Sequence, residues 1–115
     1  MRSIFLSGLV LTLFLGAPVA AQPMHGQELH NYLEEYLKVQ GGYEGNSIKA
    51  GMFLGYVRGV LDALEGTALC PPNNISAEYL IQQVTQYLRN HPPSQRSVAR
   101  TLVFEALRGQ FACQR

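Results

Sequence analysis

CPPNNISAEYLIQQVTQYLRNHPPSQRSVARTLVFEALRGQFAC, residues 70–113, holds both cysteines of the chain, one at each end. Between them lie two segments of helical spacing. In the first, Leu80, Ile81, Val84, Tyr87 and Leu88 recur at the interval of one helix face, and Ser76 supplies an N-cap, which predicts a helix over Ala77–Asn90. His91-Pro92-Pro93-Ser94 then breaks the chain and offers a new cap. The second segment, with Val98, Ala99, Leu102, Val103 and Ala106 apolar, predicts a helix over Gln95–Gly109. Cys70 and Cys113 therefore bracket a helical hairpin.

Upstream, Leu29, Tyr32, Leu33, Tyr36 and Leu37 form one narrow apolar stripe, predicting a helix near Gln27–Val39 with Glu28, Glu34 and Glu35 facing away. The glycine-rich run from Gly41 to Gly45 ends it, and Ser47 is the expected cap of the next helix, near Ile48–Gly66. Phe53, Tyr56, Val57, Val60, Leu61 and Leu64 make the main apolar face there, and Gly66 with Pro71-Pro72 terminates the helix. No run alternates as a half-buried strand does. The sequence predicts an all-α fold, a small bundle of about four helices.

Residues 1–21 read as an export signal. Arg2 precedes an apolar run over Ile4–Gly16, and Val19-Ala20-Ala21 suits cleavage after Ala21. The run is short for a membrane span. Removing 21 of 115 residues leaves 94, residues 22–115, enough for one small domain. An exported chain with two cysteines normally pairs them, so Cys70–Cys113 is the expected disulfide, linking the loop before the third helix to the C-terminus. Loss of Arg2 takes the net charge from +1 to zero, which argues against nucleic acid or anionic lipid as partner. The two halves divided at Cys70 are nonetheless opposite in sign, acidic before and basic after. Attraction between halves of one domain accounts for that, as does a two-poled surface for a partner.

No constellation of residues carries chemistry. Cys70 with His91 or His30 would lack an oxyanion motif, and C-x-x-C spacing is absent. His25, His30 and His91 share no helix face, so neither a metal nor a cofactor is expected. Two features stand out as contact surfaces. Gly51, Gly55 and Gly59 form a ridge opposite Phe53 and Val57, at a cost of about 2–3 kcal/mol relative to alanine. Close approach of another backbone would explain it, from a helix of the same chain, a second copy or a partner. Arg58 and Asp62 border the ridge at the spacing of a modest surface ion pair. On the last helix, Arg100, Phe104 and Arg108 share a ridge typical of interface anchors. The plainer reading packs Phe104 under the Cys113 tail and leaves both arginines solvated.

In order, the chain presents Gly55-Tyr56-Val57-Arg58-Gly59, Cys70-Pro71-Pro72, a helix ending at His91-Pro92, and Phe111-Ala112-Cys113. This frame resembles the Rap/Tai family of periplasmic immunity proteins associated with type VI secretion. The resemblance covers about Leu29–Cys113. It implies a small helical protein of the periplasm, often a homodimer, which binds a secreted peptidoglycan amidase effector and blocks its cleft without being an enzyme itself. Two positions depart from the pattern: no second cysteine pair is available before Leu69, and Pro93 stands where an acidic residue is common. Two other classes remain: an HdeA-like periplasmic acid-stress chaperone, which shares the size, helices, single disulfide and export signal, and an accessory subunit of an envelope complex, bound through the glycine ridge. The eight mature carboxylates are not clustered on an apolar interface, which weighs against the chaperone.

Overall fold

The computed structural model describes residues 22–92 and 97–114. Four helices, α1 (Gly26–Gln40), α2 (Ser47–Leu64), α3 (Ala77–Asn90) and α4 (Ala99–Phe111), form a small all-α bundle. Among the described residues the extended pairings are isolated bridges only. The expected signal segment and the Ser94 cap lie outside the described residues.

Helix α1 packs mainly on α2. Leu29 and Leu33 share a core with Phe53 and Val57, and the Tyr36 ring lies 5.0 Å from that of Phe53. Each such side chain contributes about 1.5–3 kcal/mol when fully buried. Glu35, expected to face solvent, instead accepts the Asn46 backbone N–H at 2.7 Å and the Lys38 ammonium at 3.2 Å. Asn46, not Ser47, caps α2, its side chain accepting the Lys49 N–H at 3.0 Å. Gly45 lies against α1, where a Cβ would stand 3.0 Å from that of Lys38 and 3.1 Å from the Glu35 carbonyl oxygen. The hairpin closes there because that position carries no side chain.

Helix α2 stops at Leu64, two residues before the expected end, because its carbonyl gathers the N–H groups of Thr67, Ala68 and Leu69 at 2.9–3.1 Å. Gly66 turns the chain with φ of 82°, the left-handed region glycine favours. Helix α3 spans the predicted residues, with the Ser76 hydroxyl accepting the Tyr79 N–H at 3.1 Å.

Helix α4 begins at Ala99, four residues later than expected. The N-terminal segment claims the chain before it: Gly26 N–H donates to the Ser97 carbonyl at 2.7 Å and Ala99 N–H to that of Met24 at 2.8 Å. The helix then runs on to Phe111, and its buried line is Ala99, Val103, Leu107 and Phe111. Val98, Leu102 and Ala106 are only half-buried.

Cys70 and Cys113 are joined, with Cα atoms 4.8 Å apart. Backbone bonds flank the bridge, Cys70 N–H to the Phe111 carbonyl at 2.7 Å and Cys113 N–H to that of Ala68 at 3.1 Å. A second tie joins α1 to the end of α3. The ring nitrogens of His30 lie 2.9 Å from the carbonyl oxygens of Gly26 and Leu88. The opposite charges of the two halves are not joined by direct ion pairs: among the described residues both pairs are local, Lys38–Glu35 and Arg108–Glu105.

Candidate functional site

Successive residues of α2 turn by about 100°, so the helix has two opposed faces. Phe53, Val57 and Leu61 enter the core. Ile48, Gly51, Met52, Gly55 and Gly59 point the other way and are exposed. A methyl group placed on Gly51, Gly55 or Gly59 would meet no atom within 4 Å. Of the three explanations for the ridge, cover by a helix of the same chain is not found among the described residues. Phe53, Val57 and Leu61 draw the other described helices to the inner side, and among the described residues none covers the outer one.

The crest is apolar as well as open. Ile48 is 78% exposed, Met52 43%, and Tyr43, on the adjoining loop, 76%. None of these three belongs to the apolar stripes that periodicity picks out. Ile48 and Met52 stand one turn apart in line with the glycines, which was the available signal.

One flank of the crest faces α4. Val60, Ala63 and Leu64 meet Arg100, Thr101 and Phe104 around a shallow, largely apolar groove of about 260 Å³. Phe104 thus lies against α2. Phe111 is the aromatic beside the disulfide, its carbonyl bonded to Cys70. Burial pushes the Tyr56 hydroxyl above its ordinary value, and the nearby Arg100 guanidinium and backbone N–H pull the other way. Arg108 is tied to Glu105, with 2.9 Å between its Nε and the carboxylate.

The other flank carries Arg58 and Asp62, both exposed, on the edge of a second groove. The ion pair expected between them is not formed within 4 Å. The fold therefore places Gly55 and Gly59 on the crest, Arg100 and Phe104 along one side of it, and Arg58 and Asp62 along the other. Arg108 stands one turn beyond Phe104 with its charge already engaged.

This surface is equipped for contact. Both cysteines are consumed in the disulfide, and the described residues contain no group of three His, Cys, Asp or Glu side chains able to hold a metal ion. A profile of the Rap1a immunity proteins matches residues 25–113, nearly all of the four-helix domain. The chain belongs to the Rap1a immunity protein family. Its match begins at His25, which pairs with Val98, and closes on Cys113. As a Rap1a immunity protein the chain is directed against a secreted effector, a role typically exercised by binding rather than catalysis. A search of curated proteins finds no match. No described helix is long and apolar enough to cross a membrane.

Proposed function

We propose that this chain is exported to the periplasm, with cleavage after Ala21, and there binds and blocks a type VI secreted peptidoglycan amidase. The effector sits on the outer face of α2. The observation that carries this reading is the uncovered crest, where Ile48 is 78% exposed and continuous with Met52 and three open glycines. Burying Ile48 and Tyr43 against a partner would contribute about 1.5–3 kcal/mol each. The glycines let a partner backbone approach α2 closely, and Arg58, Asp62, Arg100 and Phe104 supply anchors on both sides. A wall of this kind can plug a cleft without any chemistry of its own, which fits a role as inhibitor.

The test uses an amidase encoded beside this chain. Directed to the periplasm, that enzyme should lyse cells. Co-expression of the full chain should prevent lysis, and a version lacking residues 1–21 should not. The purified proteins should form a complex in which peptidoglycan cleavage stops near equimolar ratio. Cleavage that continues in a tenfold excess of this protein would overturn the reading. A second copy of the chain is the competing occupant of the crest. Sedimentation of the free protein distinguishes it, because a dimer built on the crest would dissociate on Gly55→Leu substitution.

A further inference from the structure

On the Arg58 flank, a groove of about 240 Å³ lies between the end of α2, the Cys70–Asn73 loop and the start of α3. Its floor is apolar, lined by Leu61, Leu69, Leu80 and Phe111, all nearly buried. Its outer wall is the disulfide-held turn, where Cys70 is bonded to the Phe111 backbone at 2.7 Å and followed by Pro71 and Pro72. Both prolines line the space, so that wall is stiff. The charged wall is α2 and its cap, with Arg58, Asp62 and Glu65 all exposed and, among the described residues, none in an ion pair within 4 Å.

Size and charge together select an occupant. Sites for drug-sized ligands and cofactors begin near 300 Å³, so this space holds one or two side chains rather than a cofactor. Two carboxylates against one guanidinium leave the lining acidic. An apolar floor ending at paired carboxylates matches a side chain with an aliphatic stem and a cationic head. Arginine fits better than lysine, because its planar fork can bond two acceptors at once and loses less freedom in doing so.

We infer that this groove is a socket for an arginine side chain of the bound effector, the stem lying on Leu61 and Leu80 and the guanidinium meeting Asp62 and Glu65. The choice of partner rests on the immunity reading above; the arginine selectivity does not. Arg58 opposes the incoming charge and so tunes the socket; its removal strengthens the hold on a lone arginine side chain, while the contact Arg58 itself makes along the crest is lost.

The probe is N-acetyl-arginine N-methylamide, titrated to about 50 mM because a lone side chain binds in the millimolar range at best. It should shift the methyl signals of Leu61, Leu69 and Leu80 in the NMR spectrum. The matching glutamate and norleucine amides should leave them in place. Asp62→Asn and Glu65→Gln, at exposed positions that leave the fold intact, should each weaken the arginine effect about two- to fivefold, and Arg58→Ala should strengthen it by a similar factor. No shift with arginine, or an equal shift with norleucine or glutamate, overturns the socket. If the effector binds wild type and Asp62→Asn/Glu65→Gln alike, the socket fails and the immunity reading stands. If arginine binds selectively and no amidase does, the socket stands and the immunity reading fails.

Discussion

Replacing Gly55 with alanine should make the free protein more stable and the complex weaker. Glycine inside a helix costs about 0.5–1 kcal/mol relative to alanine. At Gly55 that cost is not offset among the described residues, where an added methyl meets no atom within 4 Å. The substitution should therefore recover the full difference. In a domain of this size 1 kcal/mol moves the melting temperature by about 4–8 °C, so Gly55→Ala should raise it by about 2–8 °C. In the complex the same methyl stands where a partner backbone approaches, and overpacking a close contact costs about 1–3 kcal/mol. Affinity for the effector should fall roughly five- to 150-fold. Thermal melting by circular dichroism reads the first effect and isothermal titration against the effector the second. A lower melting temperature would mean that something in the chain already covers Gly55. A higher melting temperature with unchanged affinity, for Gly55→Leu as well, would refute the crest as the contact surface.

Three further perturbations check the fold. Cys113→Ser opens a loop spanning 43 positions, and the chain-entropy model assigns that closure about 4 kcal/mol, a large part of the stability of a small domain; an unchanged melting temperature would refute the structural role of the bridge. The Asn46 N–H, followed by Lys38, holds the Glu35 carboxyl below its ordinary value of 4.5. Its contribution is therefore present above that pH and lost as pH falls through the lowered value; Glu35→Gln should melt earlier at pH 7 and respond less to acid, and identical acid profiles would refute the tie. The Thr85 hydroxyl is buried with no hydrogen-bond partner among the described residues, so Thr85→Val should be neutral or raise stability by up to about 1 kcal/mol by thermal melting, and a marked loss would reveal a bond to its own helix.

How much of this was legible in the sequence depends on what each feature answers to. Helix α3 was read to the residue because its cap, Ser76, and its apolar period are local properties of one segment. Helix α4 was misplaced at its start because Ser97 and Ala99 bond to Met24 and Gly26, more than 70 positions away, and no local rule reports such a partner. The tie made by His30 is invisible to sequence for the same reason: the Leu88 carbonyl it meets is 58 positions distant. Asn46 and Ser47 are both good caps, and the close approach of Gly45 to α1 decides between them. The two flanks of the crest could not be assigned from periodicity, which gives an angle around α2 but not which helix occupies it.

The glycine crest is the instructive case, since the period of α2 locates it but cannot say what covers it. Three interior glycines cost about 2–3 kcal/mol, a sum comparable with the roughly 4 kcal/mol the disulfide contributes. In a chain that packed a fourth helix on them, close contact would offset that cost within the fold. Here, among the described residues, the other helices pack on the Phe53 side of α2, α4 reaching only one flank of the crest, and the crest is bordered by an isoleucine 78% exposed. The free domain therefore carries two local destabilisations on one face, open glycines and wetted apolar side chains. A partner covering that face would relieve both at once, because close backbone approach and burial of Ile48 and Met52 are the same contact. Neither feature alone would locate an interface, since exposed apolar residues are common and helical glycines occur for many reasons. Their coincidence along one line of α2, in a member of an immunity family, is what makes that line the place where the effector should be sought.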